Sequence, residues 1–179
     1  VDDLYRIKDI SHCLDENHWD SKWWLAKELY DLYNHDSGKI LIVGGWYGLM
    51  AFILRQMWPE EQMNIISTDM DPMCEEYGYK LFQGNNIQYK TLEVNSKLDL
   101  SGYTAIVNTS CEHMEQKHVQ YIIDNKDKDA WIAFQSNNYY DLDLNTFKDI
   151  SKRVKQVFWL NPEARDSWSE GDSVMLRYK

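Results

Sequence analysis

Short runs of consecutive apolar residues alternate along this chain with stretches whose apolar positions recur every three or four residues. Ile40–Val43 is almost wholly apolar, the pattern of a strand covered on both faces. Asn64–Thr68, Ile87–Tyr89 (with Thr91–Val94 as a continuation), Tyr103–Asn108, Ala130–Gln135, Gln156–Leu160 and Ser173–Tyr178 read as further strands. Helical periodicity marks Lys22–Tyr33, opened by Asp20-Ser21, with Trp24, Leu25, Leu29 and Leu32 as its apolar stripe. Leu49–Met57 is a helix closed by Pro59, and Asp71-Pro72 opens another that runs to about Phe82. Gln116–Asp124 and Asp143–Val154 complete the helices, whereas residues 1–18 are polar with weak periodicity.

Strands that alternate with helices imply parallel strands joined by right-handed crossovers. The last two strands, Gln156–Leu160 and Ser173–Tyr178, arrive with only a loop between them, so an antiparallel hairpin is expected at that edge. With 179 residues the expectation is one domain: an N-terminal helical segment over 1–38 and an α/β core over 39–179.

Composition narrows the partners. The formal charge of −10 and the scattered basic residues argue against a nucleic-acid backbone; Lys148, Lys152, Arg153 and Lys155 read as the solvated face of a late helix. No apolar run approaches the roughly 20 residues that span a bilayer, and no secretory signal is visible, so a cytoplasmic protein is expected. Cys13, Cys74 and Cys111 are widely spaced, which fits reduced thiols. His12, His18, His35, His113 and His118 form no zinc spacing with them, and no structural metal is expected.

The chemistry gathers at the ends of the first two strands. Ile40-Leu-Ile-Val-Gly44-Gly45-Trp46-Tyr47-Gly48 is an apolar strand ending in a glycine-rich turn, and Ile65-Ile-Ser-Thr-Asp69 is the next strand ending in a carboxylate. Glycines let a loop approach a ligand closely, and an acid at the neighbouring strand tip accepts hydrogen bonds from ribose hydroxyls. A nicotinamide dinucleotide would call for Gly-x-Gly-x-x-Gly, which Gly44-Gly45-x-x-Gly48 does not supply.

That order of elements, with its loops, resembles the class I S-adenosylmethionine-dependent methyltransferases from about Lys39 to the C-terminus. The resemblance implies a three-layer αβα Rossmann-like sandwich with a seven-stranded, mostly parallel sheet of order 3-2-1-4-5-7-6, strand 7 antiparallel. It implies S-adenosylmethionine as cofactor, with Gly44, Gly45, Trp46 and Gly48 in the first motif; Ile42 stands where the family often has an acid and Trp46 where it has its middle glycine. Asp69 matches the acid that holds the ribose, and Met70 would pack on the adenine. Asn95 falls where a polar residue meets the adenine amino group, and Asn108 opens the active-site segment Asn108-Thr-Ser-Cys-Glu-His-Met114.

Within that segment, Glu112 and His113 are the candidate catalytic pair, because imidazole is suited to taking a proton from a hydroxyl or ammonium nucleophile. Cys111, with no basic neighbour in sequence, reads as a packed thiol. Trp19, Trp23, Trp46, Tyr47, Tyr139 and Tyr140 are expected near the cofactor edge, where aromatic walls could hold a sulfonium. Asn137 and Asn138 are expected to meet the substrate. The expected activity is methyl transfer to an O or N nucleophile of a small molecule. The alternatives are a non-catalytic S-adenosylmethionine-binding partner module and transfer of the cofactor's aminocarboxypropyl group. The Trp-rich N-terminal helix could serve as a homodimer surface.

Overall fold

The computed structural model describes residues 2–33, 36–135, 156–160, 168–170 and 173–177. Strand β1 (Gly38–Val43) lies at the centre, with β2 (Met63–Asp69) parallel on one side and β4 (Ala105–Asn108) parallel on the other. β3 (Gln88–Thr91) continues the sheet beyond β2, and β5 (Trp131–Gln135) continues it beyond β4. The result is a sheet whose strands are parallel, as the alternating pattern implies, and whose order 3-2-1-4-5 is the one the resemblance implies for this part.

Both faces are covered, which explains the unbroken apolar runs. Ile40, Ile42, Ile65, Ala105 and Val107 point into one core, shared with α2 (Glu16–Leu32) and α3 (Leu49–Met57) through Leu25, Leu29, Ile53 and Leu54. Leu41, Val43, Ile66, Ile106 and Ile132 point the other way and pack with Val119, Ile122 and Ile123 of α5 (Gln116–Asn125). Alternation along each strand thus feeds two cores from one sheet. Each such side chain, fully buried, contributes roughly 1.5–3 kcal/mol. Helix α4 (Pro72–Leu81) begins after β2, with Asp71 as its N-cap accepting from the Met73 N–H at 2.9 Å.

Tyr89 joins β3 to two helices. Its ring lies where a Cβ would stand on either Gly48 or Gly78, and its hydroxyl is buried with no hydrogen-bond partner among the described residues.

The structure departs from expectation in four places. Residues 2–13, placed in the N-terminal helical segment but given no helix of their own because their periodicity is weak, form helix α1 (Asp2–Cys13). Its inward contacts are largely polar, so the apolar period is weak: Arg6 donates to the Tyr47 hydroxyl (2.7 Å) and to Asp71 (2.9 Å). Helix α2 begins at Glu16 rather than after Asp20-Ser21, because Asp15 already caps it by accepting the His18 N–H at 2.9 Å.

The third difference is the far edge. β6 (Gln156–Leu160) pairs parallel with β5, and β8 (Ser173–Arg177) pairs parallel with β6, leaving β7 (Trp168–Glu170) outermost and antiparallel to β8. Among the described residues the order is therefore 3-2-1-4-5-6-8-7 over eight strands, where the expectation was 3-2-1-4-5-7-6 over seven with an antiparallel strand beside strand 5. The short segment Trp168–Glu170 provides a return pass, so the final strand runs in the same direction as β6. Fourth, Trp19 and Trp23 are exposed on α2 rather than turned to the strand ends. The expected helix Asp143–Val154, with Lys148, Lys152 and Arg153, and also Lys155, Asn137, Asn138, Tyr139 and Tyr140, lie outside the described residues. No helix among the described residues is long and apolar enough to cross a membrane.

Candidate functional site

Sheet register assembles the site. Val43 pairs with Thr68 on one side and with Asn108 on the other, so the next residues, Gly44, Asp69 and Thr109, emerge together at the C-terminal edge. Gly44 has φ +61°, and a Cβ on it would stand 2.6 Å from the Ser110 Cβ. Its carbonyl accepts from the Ser110 hydroxyl (2.8 Å) and from the Thr109 hydroxyl (3.3 Å). Gly45 donates its N–H to the Thr68 carbonyl at 2.8 Å, which ties the turn to β2. Gly48, at φ +97°, is the left-handed N-cap of α3 and donates to the Gly45 carbonyl at 2.9 Å.

Asp69 closes the turn from the β2 side. One carboxylate oxygen accepts the Trp46 N–H at 3.0 Å and the other accepts the Asp71 N–H at 3.1 Å. Each oxygen carries a second lone pair, so these two bonds orient the group without exhausting its accepting capacity.

Trp46 has φ +50°, a left-handed conformation uncommon for a residue with a side chain. Its indole donates to Asp9 of α1 at 3.2 Å and stacks on Tyr47 with centroids 5.8 Å apart. The Tyr47 hydroxyl also donates to Asp9 while it accepts from Arg6. Burial and the Asp9 hydrogen bond both push the Tyr47 phenol up, so it remains protonated. Helix α1 thus latches onto the glycine turn through Asp9 and Arg6.

Together these elements enclose a cavity of about 520 Å³, within the range of small-molecule and cofactor sites. Gly44, Gly45, Trp46, Asp69 and Met70 line it, as does His113 from the short 3-10 turn Cys111–His113. Glu112 lies in the same turn. Three of the residues expected to hold the cofactor do not line it. Gly48 faces Tyr89 instead. Asn95 accepts the Lys97 N–H at 2.9 Å in a local turn of its own. Asn108 is buried, accepting from the Ser110 N–H at 3.0 Å and donating to the Met114 sulfur at 3.0 Å.

Sequence reasoning missed the contribution of the N-terminus. Cys13, His18 and Lys22 line the cavity from α1 and α2, and Lys22 donates to the Gln135 side-chain carbonyl. His118 and Glu115 line it from the start of α5, and Leu92, Glu93 and Val94 from the exit of β3. Aromatic residues drew attention to Trp19 and Trp23, yet the neighbours facing inward are His18 and Lys22. The usable signal was Asp15 with His18 three residues on, a helix start that turns the following residues toward the strand ends.

No protein-family profile and no curated protein sequence matches the chain. Solved structures do. A Methanococcus maripaludis protein, provisionally described as an S-adenosyl-L-methionine-dependent methyltransferase, superimposes with a TM-score of 0.54 at 14% identity over 65% of this chain. The PH0226 protein of Pyrococcus horikoshii OT3 superimposes with a TM-score of 0.52 at 11% identity, also over 65% of this chain. The chain spans 57% of the length of each. The fold is accordingly the Rossmann-like fold seen in class I S-adenosylmethionine-dependent methyltransferases.

Proposed function

We propose that the cavity binds S-adenosylmethionine and that the protein transfers its methyl group to an O or N nucleophile of a small molecule. The observation that carries this reading is Asp69, lining the cavity at the tip of β2 and held by the Trp46 and Asp71 N–H groups. The residues fit the cofactor. Asp69 would accept from the ribose hydroxyls, and the Gly44-Gly45 backbone would admit the methionine portion. Exposed Met70 with Leu92 and Val94 would flank the adenine.

Carboxylates of Asp69, Glu93 and Glu115 face the cavity with Lys22 as the single ammonium among the described residues, a balance that favours a cationic ligand. When bound, S-adenosylmethionine supplies an electrophilic sulfonium methyl group. The chain's own task is then chiefly alignment. His113, exposed on the cavity wall and paired in this reading with Glu112 of the same turn, would take the proton that the acceptor loses.

A second reading, a binding module without transfer activity, has Trp46 in its favour, since its indole is committed to Asp9 on α1. Calorimetry with S-adenosylmethionine and S-adenosylhomocysteine tests the shared premise. Charge-assisted bonds contribute roughly 1.5–3 kcal/mol each, so losing two through Asp69→Ala weakens binding on the order of 100-fold or more. An unchanged affinity removes Asp69 from the site, and tighter binding of a nicotinamide dinucleotide overturns the cofactor assignment. Turnover scored by product mass then separates methyl transfer, aminocarboxypropyl transfer and inert binding.

A further inference from the structure

We infer that His12, Asp15 and His18 form a binding site for a first-row divalent transition metal, zinc above all, at the junction of α1 and α2. Absence of a structural metal was expected from the spacing of histidines and cysteines alone; the fold supplies the missing ligand as an aspartate. His12 is in the last turn of α1, Asp15 is the N-cap of α2, and His18 is three residues into it. The reversal of direction between the helices turns all three side chains to one point. Their donor atoms lie within 4.8 Å of one another.

His12 Nδ1 is 2.8 Å from one Asp15 oxygen and His18 Nδ1 is 2.9 Å from the other, with the two rings edge to face at 4.6 Å. Ligands of a zinc ion at about 2.0–2.2 Å stand about 3–3.5 Å from each other, so small rotations bring this set into range. Two imidazoles and one carboxylate are the donor set of zinc and of related first-row ions, and three protein ligands leave positions open.

Cys13, next to His12, is turned into the core and does not belong to the cluster. The indole of Trp46 lies 5.8 Å from the His12 ring and 5.5 Å from the His18 ring, walling the site on the turn side. Because His18 also lines the cavity, the ion's open positions border it. An acceptor oxygen could be polarised there. That last step rests on the methyltransferase reading; binding of the ion does not.

The test uses the tag-free full chain, stripped with a chelator and titrated at neutral pH with Co²⁺ by visible absorption and with Zn²⁺ by calorimetry, without S-adenosylmethionine. Expected are one saturable equivalent, no sulfur-to-cobalt charge-transfer band, and affinity reduced roughly 100-fold or more by His12→Gln or His18→Gln. Asp15→Asn retains a good helix cap while removing the anionic ligand and should weaken binding similarly. His12 is exposed, so His12→Gln remains decisive should His18→Gln fail to fold. The proposal is overturned by the absence of a saturable equivalent, by affinity that survives His12→Gln, by a thiolate band, or by an equal loss in His113→Gln.

Discussion

Replacing Trp46 with the glycine that the methyltransferase motif carries tests what the indole does. Two effects oppose. A residue with a side chain at φ +50° stores about 1–2 kcal/mol relative to glycine, which the substitution would release. Against that, complete removal of a fully buried aromatic side chain costs about 3–5 kcal/mol, and Trp46 is half-buried against the core, so roughly 2 kcal/mol is lost. The indole's bond to the Asp9 carboxylate, long at 3.2 Å, contributes about 1 kcal/mol more. Glycine also adds unfolded-state freedom. The losses exceed the gain by about 1.5–2 kcal/mol, a fall of roughly 3–8 °C in Tm for a chain of this size. Urea unfolding followed by tryptophan fluorescence, with far-UV circular dichroism as a second probe, measures it. A stabilised Trp46→Gly protein would refute the reasoning and show that strain, not anchoring to α1, dominates at this turn.

Two further outcomes follow from buried and titrating groups. Tyr89→Phe removes a buried hydroxyl without a hydrogen-bond partner among the described residues, so it should be neutral or stabilise by about 1 kcal/mol; a destabilisation larger than that in urea unfolding means the hydroxyl is paired. Asp15 is held at about 2, below its unfolded value near 4, so its contribution is complete above about pH 4 and vanishes as pH falls through about 2. The stability gap between metal-free wild type and Asp15→Asn should therefore narrow over that window, and a gap independent of pH would contradict the assignment.

Local signals were legible where apolar period and turn chemistry coincide. β1, its glycine turn, β2 and Asp69 lie within a few residues of their expected places, because a central parallel strand tolerates little except apolar residues and its exit demands glycine. Helix α1 was not legible: Arg6 and Asp9 bind Tyr47, Trp46 and Asp71, partners far along the chain that no local pattern announces. The same limit hid His18 and Lys22 from the cavity and let the aromatic residues beside them, Trp19 and Trp23, mislead. Asn95 shows a different limit. A short polar side chain can satisfy its own backbone, and here it does so with Lys97.

Gly48, Gly78 and Tyr89 constitute a single mutational unit. A phenol on β3 occupies the volume that side chains on two different helices would otherwise claim, so α3 and α4 hold their spacing through one shared insert. Any lineage that places alanine at either glycine must first shrink position 89, and the path between the two arrangements passes through a poorly packed intermediate. Variation at the start of α3, beside the ligand turn, is thereby constrained by a strand near the sheet's margin.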